Sequence, residues 1–108
     1  MESAYLVVLS TCPDHESGTR IANTLVQEAL AACVNILPGL TSVFQWQGKL
    51  ESSTEVLLII KTRRSLYRPL EKRIQVLHPY ELPEIIAVPI EKGLEAYLNW
   101  IDSLTGTQ

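Results

Sequence analysis

Short apolar runs alternate with helical stripes along this chain, and the alternation sets out the elements. Ala4–Ser10 (A-Y-L-V-V-L-S) is apolar and β-branched, and it predicts a strand buried on both faces. Thr11–Asp14 then reads as a change of direction, with Pro13 suited to a first helical turn and Asp14 placed at the positive end of the helix dipole. Ala22, Leu25, Val26, Ala29, Leu30 and Cys33 recur at alternating spacings of three and one, which predicts an amphipathic helix with one apolar stripe. Gly18 near its start weakens the first turn.

Cys33–Leu37 predicts a second strand, interrupted at Pro38-Gly39 and resumed over Thr41–Gln47. Gln47-Gly48 between Trp46 and Lys49 reads as a tight hairpin turn, because glycine supplies the positive φ that such turns need. The return strand runs from Lys49 to about Thr62, polar in its first half and apolar in its second. Leu66, Leu70, Ile74 and Leu77 share a helical face, with Pro69 tolerated in the first turn. The prolines of His78–Glu84 hold that segment out of a helix. Ile85–Glu91 predicts a fourth strand, placed at an edge by Pro89. After Gly93, the residues Leu94, Tyr97, Leu98, Ile101 and Leu104 predict a last amphipathic helix. The order is β-α-β-β-α-β plus a helix, an α+β ferredoxin-like sandwich with a long hairpin between its second and third strands.

The hairpin carries a geometric consequence. A return strand of about 14 residues spans about 48 Å, whereas a compact domain of this length is about 34 Å across. The hairpin is expected to overrun its own domain, carrying Phe44 and Trp46 away from any core of the same chain. Packing on a second copy is the expected outcome, and a bend that folds the tip back is the alternative.

Composition narrows the classes. With 108 residues the chain is read as a single domain, 1–108, and its 46% hydrophobic content excludes intrinsic disorder. Nine Lys and Arg against twelve Asp and Glu, a net charge of −3, argue against binding a nucleic-acid backbone. No apolar run is long enough for a membrane partner, and no basic, apolar leader follows Met1, so a cytoplasmic protein is expected. Two cysteines are too few for a disulfide framework.

The donors that suit copper or zinc are Cys12, Cys33, His15 and His78, and no two have the spacing of a dedicated site. The expected topology puts Cys12 and Cys33 at opposite ends of parallel-running strands, about 23 Å apart. Cys12, His15, His78 and Glu81 therefore form the one intrachain cluster the order allows. Against a metal role, Cys33 also reads as a small buried hydrophobe, His78 as a hydrogen-bonded structural residue, and His15 as a solvent-facing residue. A second set suits a small-molecule cleft: Tyr80, Glu81 and Glu84 on the proline-bounded loop, Lys61 at the end of an apolar strand, and Trp46 and Trp100 as walls. Interface packing is the alternative for each aromatic. Glu81 and Glu84 offer an acid and a base, but nothing places a nucleophile beside them, so no enzymatic activity is expected.

Several motifs are specific. L-L-I-I-K-T at 57–62, L-H-P-Y-E-L-P-E-I-I-A-V-P-I at 77–90 and Y-L-N-W-I at 97–101 resemble the CutA family. P-D at 13–14, A-A-C-V-N at 31–35, P-G at 38–39 and W-Q-G-K at 46–49 do so as well. The resemblance implies a non-enzymatic homotrimer, akin to PII-type signalling proteins and associated with tolerance to divalent cations. It implies no required cofactor, with Cu²⁺ or another divalent cation as a candidate ligand and Cys33 of A-A-C-V-N as its candidate copper residue. A small molecule in the cleft between subunits, in a signalling or carrier role, is the alternative.

Overall fold

The computed structural model describes residues 2–106. Its elements are β1 (Tyr5–Cys12), α1 (His15–Gln27), β2 (Cys33–Trp46), β3 (Lys49–Arg63), a single 3-10 turn at Arg64–Leu66, α2 (Tyr67–Leu77), β4 (Ile86–Pro89) and α3 (Glu95–Leu104). The four strands form one antiparallel sheet in the order β2-β3-β1-β4, the ferredoxin-like arrangement that the element order predicts. β4 lies at the sheet edge, where Pro89 leaves no central ladder bond unmade.

One sheet face holds the core. Leu6, Val8 and Cys12 of β1 and Val56, Leu58 and Ile60 of β3 pack against Ile21 and Leu25 of α1 and Leu70 and Ile74 of α2. Burying each such Leu or Ile stabilises by about 1.5–3 kcal/mol. α1 approaches β3 closely at Gly18, where an added Cβ would lie 3.1 Å from Val56 Cγ2. The glycine that weakens the first turn is therefore what lets the two layers touch.

The expectation that β1 is buried on both faces is corrected: Tyr5, Val7 and Leu9 are only half-buried. Their face lacks a full helix layer within the chain. α3 crosses it at one end, held by Arg63, which donates to the Thr105 hydroxyl at 2.9 Å and to the Thr105 carbonyl at 2.8 Å. Tyr5 donates to Asp102 at 2.7 Å. Only Ile101 of the α3 stripe is fully buried, while Leu94 and Leu104 stay exposed.

The first helix is shorter than its apolar stripe. Asp14 is the N-cap, accepting from the Ser17 N–H at 2.8 Å, so the helix starts at His15 and Pro13 lies outside it. At the other end Ala29 adopts φ +59°, the Leu30 N–H donates to Leu25 O at 2.9 Å, and the Ala29 N–H donates to Val26 O at 3.1 Å. These paired bonds end a helix in a left-handed residue. Ala29, Leu30 and Cys33 thus leave the stripe, and Cys33 opens β2.

The hairpin overruns the domain as its length requires. The long axis of the molecule is 44 Å against 27 and 23 Å across. β1 pairs with β3 only from Val56 to Arg63, so the remainder of β3 forms a two-stranded ribbon with β2. Gln47 (φ 52°) and Gly48 (φ 81°) make its two-residue turn, with both residues in the left-handed region. Pro38-Gly39 is a bulge between Leu37 and Leu40, which bends the ribbon without folding its tip back over the core.

Candidate functional site

Two residues of the proline-bounded loop are fixed by a chain of hydrogen bonds that begins at β1. His78 caps the C-terminus of α2 and is 7% exposed. Its Nε2 lies 2.7 Å from Thr11 O, and its Nδ1 accepts the Tyr80 N–H at 3.1 Å. A carbonyl only accepts, so Nε2 carries the proton and the ring is the neutral tautomer with both nitrogens engaged. Cys12 Sγ lies 3.8 Å from the same Nε2. Burial, followed by the nearby charges of Glu55 and Asp14, pushes the Cys12 thiol up to about 11. The thiol therefore stays protonated at neutral pH.

From the backbone that His78 holds, Tyr80 reaches across to β3 and donates its hydroxyl to Glu55 Oε2 at 2.6 Å. Ser42 of β2 donates to Glu55 Oε1 at 2.5 Å. Glu55 is only 6% exposed. It sits where β3 leaves the cover of β1, at the switch from the polar E-S-S-T-E segment to the apolar V-L-L-I-I segment. Burial first, then the hydrogen bond and charge of Glu55, raise the Tyr80 phenol well above its ordinary value. Four elements are tied together here, because Thr11, His78, Tyr80, Glu55 and Ser42 form one continuous path.

Thr11, Tyr80, Glu55 and Ser42 of that path line a groove of about 840 Å³ between the ribbon and the 79–84 loop, with His78 buried behind them. Trp46, Tyr80, Glu81 and Glu84, four of the six residues expected in a cleft, line it together with Phe44 and Glu55. Lys61 and Trp100 lie elsewhere. Lys61 donates to Asn35 Oδ1 and stands opposite Cys33 in the β2–β3 register. Trp100 packs on Tyr97 with ring centroids 5.4 Å apart. Tyr97 in turn is raised by burial and by the charge and hydrogen bond of Cys33, which places α3 beside the start of β2. The two tryptophans therefore mark opposite ends of the hairpin in one chain.

The metal candidates divide in the same way. Cys12 and His78 meet at the buried end of β1, whereas Cys33 opposes Lys61 at the far end of the shared β3 register. His15 is exposed at the start of α1 and does not join Cys12 and His78, and Glu81 lies in the groove. Among the described residues no three His, Cys, Asp or Glu side chains converge as a metal site. Glu55 and Ser42 are among the groove residues that the sequence did not single out, and Phe44 was expected to pack on a second copy. The one signal for Glu55 was its position at the polar-to-apolar switch in β3.

An antiparallel β2-β3-β1-β4 sheet with an overlong ribbon and a helix across its open face defines a small α+β domain of the ferredoxin-like class. The model for "CutA1 divalent ion tolerance protein" matches residues 6–104, and the chain belongs to the CutA1 family. "Protein CutA, chloroplastic" of Arabidopsis thaliana is 51% identical over 100 residues, covering 93% of this chain and 55% of that protein. "Divalent-cation tolerance protein CutA" of Thermus thermophilus is 49% identical over 100 residues, covering 93% of this chain and 97% of its own. The chain thus spans about half the length of the Arabidopsis relative and nearly all of the Thermus one. The crystal structure of CutA1 from Oryza sativa superposes with a TM-score of 0.95 at 44% identity, covering 99% of this chain and 98% of the other. The family is described by cation tolerance and not by a catalysed reaction. No helix among the described residues is long and apolar enough to cross a membrane.

Proposed function

We propose that the protein is a non-enzymatic, cytoplasmic homotrimer that holds a small ligand in the groove beside its long hairpin. Its role is that of a PII-like carrier or sensor within a family linked to divalent-cation tolerance. The observation that carries this reading is the groove itself. Its 840 Å³ falls in the usual range for small-molecule sites, and it gathers aromatic walls around an ordered polar floor. The path Thr11–His78–Tyr80–Glu55 supports a preorganised site, since the Thr11 carbonyl fixes the His78 ring, that ring accepts the Tyr80 N–H, and the Tyr80 hydroxyl donates to Glu55. A thermal-shift screen of the intact protein against metabolites tests the reading. Hits are expected whose stabilisation is lost in Trp46→Ala, and a screen without hits overturns it.

The trimer is supported by apolar surface left uncovered in one chain. Leu37, Ile86 and Val88 are exposed on the open sheet face, Leu50 along the ribbon, and Leu94 and Leu104 on α3. Exposed apolar surface on this scale marks interaction sites, and the sheet edges β2 and β4 offer further pairing. Light scattering is expected to give three times the 12.1 kDa chain mass, and a monomer mass at micromolar concentration refutes the trimer.

A second reading is copper binding through Cys33. It is favoured by the partial exposure of that thiol, whereas Cys12 is fully buried and both His78 nitrogens are engaged. Calorimetry of the metal-free protein with Cu²⁺ is expected to show micromolar or tighter binding that is lost in Cys33→Ala. Binding that is unchanged in the variant removes Cys33 from the account.

A further inference from the structure

We propose that the groove beside the hairpin receives a small organic cation, an ammonium group carried on a short apolar body. The inference rests on the small-ligand reading and names the chemical class of that ligand.

The charge balance of the groove is one-sided. Glu55, Glu81 and Glu84 line it with Phe44, Trp46 and Tyr80, and no Lys, Arg or His is among the described residues that form its walls. Glu55 is the decisive member. It is 6% exposed, both of its oxygens accept from neutral hydroxyls, and among the described residues it has no ion-pair partner. Buried carboxylates are normally paired, because desolvating an isolated charge is costly. Ser42 and Tyr80 each occupy one lone-pair direction on Glu55, and each oxygen keeps a second. A cationic ligand on the open side of Glu55 supplies the missing counter-charge.

The arrangement also selects against a metal ion. A divalent cation needs several oxygen or nitrogen donors converging within coordination distance. Among the described residues no three such side chains converge, so the three carboxylates are spread along the groove instead of forming a cage. Spread carboxylates with aromatic faces between them suit a diffuse organic charge. An ammonium group gains from the ring quadrupole of Trp or Tyr as well as from the carboxylate. Its apolar body is accommodated by the aromatic faces of Phe44 and Trp46, which line the groove. A basic side chain of a neighbouring copy is the rival occupant.

Titration calorimetry of the intact protein with choline and butane-1,4-diamine tests the proposal, with 3,3-dimethylbutan-1-ol and butyrate as neutral and anionic controls. Choline is expected to bind about tenfold or more tighter than its uncharged isostere. Glu55→Gln keeps the size of the side chain and is expected to weaken amine binding by a similar factor. Because that variant disturbs a buried cluster, the exposed pair Glu81→Gln/Glu84→Gln is measured beside it, with a severalfold loss expected. Equal binding of choline and its isostere, or binding of butyrate in preference, overturns the cation proposal and leaves the groove as a small-molecule site. Amine binding that is unchanged in both variants overturns it too. Absence of binding by all four probes overturns the cation proposal, while hits among other metabolites still uphold the small-ligand reading. Absence in both assays overturns both.

Discussion

Replacing Tyr80 with Phe removes one oxygen atom from the centre of the path that orders the groove. In the native chain that oxygen donates to Glu55 at 2.6 Å, and Glu55 keeps only Ser42 once it is gone. A hydrogen bond to a charged group contributes about 1.5–3 kcal/mol, and the partial exposure of Tyr80 places this one near 1.5. For a domain of this size a loss of about 1.5 kcal/mol lowers Tm by roughly 6–12 °C. Chemical denaturation at fixed protomer concentration, run as a double-mutant cycle with Glu55→Ala, isolates the pair. A coupling of about 1.5 kcal/mol is expected, and one below about 0.3 kcal/mol refutes the view that the two residues act as a unit. The pH dependence gives an independent check. The folded phenol titrates above its unfolded value near 10, so its contribution is complete below pH 10 and is lost as the pH rises toward the folded value. Native protein is therefore expected to lose stability in that alkaline window faster than Tyr80→Phe does. Parallel curves contradict the assignment.

Three further outcomes follow from the surrounding structure. Ala29→Gly relieves a left-handed alanine at the end of α1 and is expected to raise stability by up to about 1 kcal/mol, read by urea denaturation. In the native protein a thiol reagent is expected to modify Cys33 before Cys12, because Cys12 is fully buried and its thiol is pushed up to about 11; peptide mapping of the first modified product checks the order. Asp14 is held below its ordinary value by the side-chain and backbone hydrogen bonds of Ser17, so its cap is present at neutral pH and lost as the pH falls through the depressed value. Asp14→Ala is expected to lower Tm at neutral pH, with the difference shrinking in acid.

The parts of the fold that read clearly from sequence are those with a local physical cause. Gln47-Gly48 announced its turn through positive φ, Pro89 marked an edge strand, and the length of β3 alone required the ribbon to leave the domain. The end of α1 did not read, because its stop is an alanine in a position that glycine normally fills, and the apolar stripe ran on past it. The single-sided burial of β1 was hidden for a different reason. An apolar strand looks the same whether its second face meets a helix of its own chain or surface left for another contact.

The site was legible in its loop and obscure in its floor. Tyr80, Glu81 and Glu84 stood out because two prolines hold them on a rigid non-helical segment, and Trp46 because it caps the ribbon. Glu55 did not, since a glutamate in a polar strand segment is ordinarily solvated, and this one is buried through tertiary contacts that include Tyr80 and Ser42. Lys61 was joined to the cleft by its place at the end of an apolar strand and Trp100 by its residue type, and the register places Lys61 at the other end of the sheet. His78 gained a definite role: it uses both ring nitrogens on backbone groups and so positions Tyr80.

Trp46 provides the most direct test of the groove as the binding site. In Trp100→Phe the remaining tryptophan lies in the groove, so its fluorescence reports there alone. Titration with the amines is expected to change its emission saturably, with the same affinity that calorimetry gives, and Glu55→Gln in this background is expected to weaken the response about tenfold. Calorimetric saturation with Trp46 emission unchanged contradicts the account, because the ligand then binds elsewhere.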